Sequence, residues 1–347
     1  MKAYVCRKMK VSLFPYTFQL KHAFNLAIHQ RTTTPAVFLK IECEGLIGWG
    51  EASLPPYLGE TQESVIAFIK SFPWVEINPT WDVSKFMEKV DKFSFGNNAA
   101  KACMDLAWHD FQSKKNGVSC QQFLGITQLP NMPTSFTIGI HSPTKMQEIA
   151  SQAKEFRILK IKLGGKQDRA MIQAIRKVSN LPLFVDVNQG WKTFDQAASE
   201  LEWLSSQNVI LAEQPFPKEW LEESAKLKQQ QILPIFGDES LKRLGDIENA
   251  AAAFDGVNIK LMKSTGLHEA SKMIQLANQK KMKILLGSMT ESSFATQAAN
   301  CLSPLVDFVD LDGPWLIANN PCKTPLLKKG IVQLPNGIGV GVEPAIN

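Results

Sequence analysis

The sequence predicts an α/β fold, a TIM-like (β/α)-barrel with an α+β capping domain formed by the N-terminal region and the C-terminal tail. Three observations predict it. From residue 134 onward eight β-rich runs recur: TSFTIGI, ILKIKLG, PLFVDVNQG, VILAEQP, PIFGDES, GVNIKLM, KILLGSM and VDFVDLDG. Each run ends in polar or glycine residues and is followed by a helical segment. Markers near the run ends (Thr137, Lys162, Asp186, Glu213, Asp238, Lys260, Gly287 and Asp310) lie 22 to 27 residues apart, the length of one strand, one helix and two short loops. Eight consecutive units favour a closed barrel over an open dinucleotide-binding sheet. No G-x-G-x-x-G follows an early strand to support the latter.

The N-terminal third has a different texture. VFLKIECEGLIGWGEA reads as two strands joined by a turn at Glu44-Gly45. Helical spacing follows over 62–72 and over 97–114, where Ala99, Ala100, Cys103, Met104 and Ala107 repeat along one face. Gly117 and the stretch 130–133 then break the chain. After the eighth run no barrel partner remains, so the tail is expected to return to the capping domain. The expected division is 1–115 for the cap, 116–318 for the barrel and 319–347 for the tail.

Composition excludes several classes. At 347 residues and 44% apolar the chain can bury a large core. Its net charge of +5 is dispersed, and no basic run interleaved with aromatics marks a nucleic-acid or membrane surface. Six scattered cysteines lack C-x-x-C or zinc spacing and read as reduced, mostly buried thiols. The first residues carry charge without the apolar core of a signal peptide, and no apolar run nears the ~20 residues that span a bilayer. A soluble, cytoplasmic protein is expected; assembly into a homo-oligomer is left open.

Catalytic groups of a barrel sit at the carboxyl ends of its strands. Those ends carry Lys160 and Lys162, Asp186 and Asn188, Glu213, Asp238, Lys260, and Asp310 and Asp312. Apolar neighbours alternate with them (Leu159/Ile161/Leu163, Val185/Val187, Val309/Leu311), which turns the polar set towards the barrel mouth. Carboxylates from three consecutive strands suit a hard divalent cation such as Mg2+; without one they repel each other. Ion pairing or helix capping explains one such residue more readily than three. Lys162 and Lys260 come from opposite sides of that cluster, the arrangement for a 1,1-proton transfer between two bases. A lysine base needs a depressed pKa, which burial and the charges of Lys160 and the metal favour. Lys160 can also stabilise an oxyanion. Lys263, three residues beyond Lys260, is expected to be solvated.

These residues resemble the enolase superfamily, in the muconate-cycloisomerase-like branch that includes dipeptide epimerases, and the match spans nearly the whole chain. LKIKLGG looks like the K-x-K strand; VDVNQGW, AEQP and GDES look like the three metal-ligand strands. NIKLMKSTG is similar to the second-lysine strand, and WGEA to the hairpin of the cap. The resemblance implies one Mg2+ per subunit on Asp186, Glu213 and Asp238, with Lys162 and Lys260 as bases and Lys160 beside an enediolate. It implies that Asp310-x-Asp312 binds the ammonium of a dipeptide, the alternative being a cap on the next helix. Ser135 and Tyr57 join the implied substrate-binding set, and Asn188 and Gln214 are implied to orient the ligands. A cycloisomerase or succinylbenzoate-forming lyase on the same lysines is the rival; it has little use for Asp310 and Asp312.

Members acting on Ala-Glu carry an arginine in the first capping loop. In LKHAFN that place falls to Asn25, and Arg31 lies six residues on. A neutral amide cannot offer a carboxylate the same charge-assisted pair. Phe24, Leu26, Ile28, Leu54, Pro55, Pro56 and Tyr57 make the expected cover apolar. The expected substrate is therefore a dipeptide with a neutral, small or apolar second residue, of the Ala-Ala type, with Ala-Glu as the alternative. Trp315 is a candidate wall of the pocket. His109 and His268 read as ordinary helix residues.

Overall fold

The computed structural model describes residues 9–25 and 30–346, with only the backbone of Phe24, Asn25 and Gln30. In the cap, β1 (Lys10–Asn25), β2 (Gln30–Cys43) and β3 (Leu46–Ser53) form an antiparallel sheet in that order. Glu44 and Gly45 both take left-handed φ, 54° and 81°, and close the predicted turn so that Cys43 faces Leu46. The helices α1 (Gln62–Ser71), α2 (Val83–Phe93) and α3 (Asn98–Lys115) follow, two of them where helical spacing predicts them.

Between sheet and barrel lies α3. A Cβ on Gly50 would stand 1.9 Å from the Cys103 carbonyl oxygen, so only glycine lets strand and helix backbones approach this closely. Every residue from Ala99 to Ser113 is buried, because the opposite face of α3 meets the barrel helix Leu267–Gln279. There Asp105 accepts the N–H groups of Leu267 and His268, capping the positive end of that helix. His109 is therefore not an ordinary helix residue. It is 2% exposed and its Nδ1 lies 3.2 Å from Asp105 Oδ2.

The eight predicted runs are eight parallel strands: β4 (Ser135–Ile138), β5 (Ile158–Lys162), β6 (Leu183–Asp186), β7 (Val209–Glu213), β8 (Ile235–Gly237), β9 (Gly256–Lys260), β10 (Lys283–Gly287) and β11 (Phe308–Asp310). A parallel bridge from Thr134 to Val309 and a 2.8 Å bond from Leu311 N to Thr134 Oγ1 close the barrel. Its interior is layered. Ile158, Phe184, Leu211, Phe236 and Leu285 form a separate buried cluster. Two residues further along their strands, on the same face, stand Lys160, Asp186, Glu213 and Asp238. An apolar floor thus supports a charged layer.

The tail returns to the cap. Ala318 N donates to Gln19 O at 2.8 Å, Val340 N to Asp110 Oδ1 at 2.8 Å, and Lys114 pairs with Glu343 at 2.7 Å. Among the described residues no helix is long and apolar enough to cross a membrane.

Burial pushes the His109 imidazole down, but Asp105 outweighs it and holds the pKa at about 9 against an ordinary 6.5. A pKa raised on folding stabilises fully below 6.5, and that stability is lost as pH rises to about 9. Denaturant titrations between pH 6 and 9.5 should show a fall of about 3 kcal/mol from this group. The His109→Gln protein should lack that component; an identical pH profile in the variant would refute the assignment.

Candidate active site

Strand alternation brings the polar ends of β5 to β9 to one point. One oxygen each of Asp186, Glu213 and Asp238 lies within 4.8 Å of the others, and all three residues are buried. Lys160 Nζ reaches Glu213 at 2.6 Å, Asp310 at 2.9 Å and Asp186 at 3.4 Å. Lys162 Nζ is 2.5 Å from Asp186, and Lys260 Nζ is 2.6 Å from Asp238. The two lysines thus approach the triad from β5 and β9, at its two ends.

Lys263 corrects the expectation of a solvated side chain. It is 5% exposed and donates to Asp238, both side chain and carbonyl, and to Asn258 O. The chain turns directly after β9, with Lys263 N bonded to Lys260 O, and that turn folds Lys263 back over the strand end.

Burial drives the electrostatics. It raises the Glu213 carboxyl, helped by Asp186, to about 7. It also opposes ionisation of Asp238, but Lys260 and Lys263 outweigh it and hold that group well below the usual carboxylate range. For Lys260 burial favours loss of the proton, yet Asp238 and Glu213 outweigh it and keep the ammonium above the usual lysine range. The expected depressed lysine is not met there, because the carboxylates dominate the field. A cation bound to them takes up that negative potential. The triad fits one divalent cation held by oxygen ligands.

The β11 end faces the lysines. Ser135 Oγ donates to Asp310 at 2.6 Å, and Thr137 N donates to Asp312 at 2.5 Å. Asp312 occupies the N-cap position of the short helix Gly313–Leu316, but its side chain does not cap it. Burial, reinforced by Asp310, raises Asp312 to about 7, the response of an acid beside another acid. Asn188 donates its own N–H to Asp186 and its side-chain amide to Glu239. Gln214 accepts from the backbone N–H groups of Asp238 and Ser240, which fixes the β8 end.

A cavity of about 150 Å3 lies over this layer, lined by Lys160, Lys162, Lys260, Asp310 and Asp312 and closed from the cap by Arg31, Tyr57 and Leu58. Leu54 and Pro55, expected in the cover, are buried in the cap instead. Trp315 is not a wall of this cavity; it packs edge-on against Phe156 and lines a separate crevice. Leu26 and Ile28 lie outside the described residues, as do the side chains of Phe24 and Asn25. Their neighbourhood is visible through β2: Phe24 is paired with Arg31 across the hairpin, and Arg31 Nη2 donates to Thr290 Oγ1 at 3.0 Å.

The family model described as "Enolase C-terminal domain-like" matches residues 145–346, and "Mandelate racemase / muconate lactonizing enzyme, N-terminal domain" matches 8–125. The chain belongs to the enolase superfamily. It is an isomerase, as its named epimerase and racemase relatives are. A relative named L-Ala-D/L-Glu epimerase, from Bacteroides thetaiotaomicron, is 44% identical over 96% of this chain and 88% of its own. An L-Ala-D/L-amino acid epimerase from Flavobacterium johnsoniae is 32% identical over 96% and 99%. The crystal structure of a Cytophaga hutchinsonii dipeptide epimerase with Mg and D-Ala-L-Val superposes at TM-score 0.90, 27% identical, covering 97% and 95%.

Within this enolase-superfamily site, sequence reasoning missed Glu239, Lys263 and the loop 288–292. Glu239 stands beside Asp238 in GDES, and Lys263 one helical turn beyond Lys260, so adjacency and spacing were their only signals. The loop had none.

A divalent cation at the triad should raise the melting temperature, since a ligand at a hundredfold over its Kd adds about 2.7 kcal/mol. Thermal unfolding with and without Mg2+ reads this out. The Mg2+-induced rise should vanish in Glu213→Gln; a rise that persists there would place the cation elsewhere.

Proposed function

We propose that this chain is a Mg2+-dependent dipeptide epimerase of the L-Ala-D/L-Glu type, inverting the α-carbon of the second residue. The observation that carries the reading is a single cavity lined by two lysines from opposite ends of an acidic triad, an aspartate pair and an arginine. Asp186, Glu213 and Asp238 would hold Mg2+, which would supply Lewis acidity towards the substrate carboxylate.

The chain's own groups do the rest. Asp310 and Asp312, at the β11 end, take the dipeptide ammonium. Lys162 and Lys260 then flank the α-carbon of the second residue. The neutral member of the pair removes the proton from one face; the protonated member delivers one to the other face. In the reverse direction the two exchange roles. Asp238 and Glu213 keep Lys260 protonated, the form that delivers a proton. The Lys160 ammonium meets the negative charge that develops on the carboxylate during proton removal. The lyase and cycloisomerase readings leave Asp310 and Asp312 without work.

Arg31 decides between dipeptides. The expectation of a neutral second residue rested on Asn25 standing for an arginine, but the hairpin returns Arg31 to Phe24's side and to the cavity wall. A guanidinium there suits a side-chain carboxylate, and the name of the 44% relative points the same way. Five buried cysteines that form no disulfide among the described residues support a reducing compartment, the cytoplasm.

The test is α-deuterium incorporation and diastereomer ratio in D2O with Mg2+ and Ala-Glu, Ala-Ala or Ala-Leu. Ala-Glu should be the best substrate. Lys162→Ala and Lys260→Ala should each lower epimerisation by about 10^2 to 10^4-fold; retained turnover in both would end the two-base reading. Arg31→Ala should raise KM for Ala-Glu by roughly 10- to 100-fold, the worth of a charged hydrogen bond, and leave Ala-Ala within about twofold. Equal effects on both substrates would remove Arg31 from the specificity pocket.

A further inference from the structure

Four residues of the cap converge on one barrel loop, 288–292, between β10 and the helix Ser293–Asn300. Arg31 Nη2 donates to Thr290 Oγ1 at 3.0 Å, and Ser53 Oγ to Thr290 O at 2.7 Å. Tyr57 OH donates to Met289 Sδ at 2.8 Å. Glu51, 0% exposed on β3, makes the densest of these contacts. Its carboxylate accepts from Ser292 N at 2.8 Å, from Ala295 N at 3.3 Å and from Ser292 Oγ. It thereby anchors the loop's far end to the N-terminus of the following helix. The near end is tied to the opposite wall, where Ser288 Oγ donates to Asp310 O at 3.1 Å. Gly313, next to Asp312, packs against the Glu291 backbone so closely that a Cβ there would lie 2.8 Å from its oxygen.

The two ends of the pocket are thus joined through five residues. Arg31 hangs on Thr290, the Asp310 carbonyl takes a bond from Ser288, and Gly313, next to Asp312, lies against the Glu291 backbone. We infer that Glu51 is a positioning residue that sets the distance between the arginine and the aspartate pair, so that the loop measures the length of the dipeptide between its side-chain carboxylate and its ammonium. Glu51 touches no substrate; it acts by holding the loop. Lys162, Lys260 and the acidic triad lie on β5 to β9 and their ends, and Lys160 meets the linkage at the Asp310 side chain. Loosening the loop blurs the measurement and spares the proton transfer. The inference rests on the Ala-Glu reading above.

The experiment compares Ala-Glu with Ala-Asp, one methylene shorter, in the full-length Mg2+-loaded enzyme. In Glu51→Gln the ratio of kcat/KM for Ala-Glu over Ala-Asp should narrow by about tenfold, the loss of one charge-assisted hydrogen bond, mainly through KM for Ala-Glu. Its kcat should stay within about threefold. Ser292→Ala, which removes only the hydroxyl donor, should narrow the ratio in the same direction by less, and carries the test if Glu51→Gln does not fold. An unchanged ratio, with both substrates weakened alike or neither affected, overturns the inference and leaves the Ala-Glu reading standing. Wild-type turnover of Ala-Ala but not Ala-Glu overturns both.

Discussion

Buried charge at the barrel mouth is the constraint on which the rest depends. Each lysine and each carboxylate of that layer is shielded from water, and breaking such a pair by removing one partner costs about 3–5 kcal/mol. The cluster persists because its members are shared: Lys160 touches three carboxylates, and Asp238 takes both Lys260 and Lys263. Beneath it the apolar floor of Ile158, Phe184, Leu211, Phe236 and Leu285 keeps water from entering below. Above it the cap completes the enclosure. A low-dielectric setting strengthens every charge interaction within it, and the proposed proton transfer depends on that.

One device recurs where cap meets barrel, an acid from the cap at the N-terminus of a barrel helix. Asp105 of α3 meets Leu267, and Glu51 of β3 meets Ser292 and Ala295. Each satisfies amide N–H groups that the helix itself leaves without partners, at the helix's positive end. These contacts fix an angle as well as an affinity. The cavity is lined from both parts, by Arg31 and Tyr57 on one and Asp310 and Asp312 on the other, so in the proposed reading the docking geometry becomes part of the recognition.

Much of the site was legible because strands translate sequence into direction. Two-residue alternation in LKIKLGG, VDVNQG and VDLDG places Lys160, Lys162, Asp186, Asp310 and Asp312 on the inner face, and equal spacing places those strands side by side. The Glu44-Gly45 turn was legible from chemistry, since two left-handed residues in succession favour glycine. Other features were not. Arg31 was set aside by linear distance from Asn25, yet a hairpin makes residues 24 and 31 neighbours. Lys263 looked solvated because nothing in NIKLMK announces the turn that buries it. His109 looked ordinary because one helix face gives no sign that the other is also covered.

What the sequence by itself determined is therefore the set of groups at the strand ends and the layer they share. Strand period and helix spacing are local properties, written within about 25 residues of one another. What only the tertiary structure decided is which distant groups meet: Glu51 with Ser292, Ser53 with Thr290, Arg31 with Thr290. Each of these contacts depends on where the chain returns after tens or hundreds of residues. That return is set by the packing of cap on barrel, which no local period encodes.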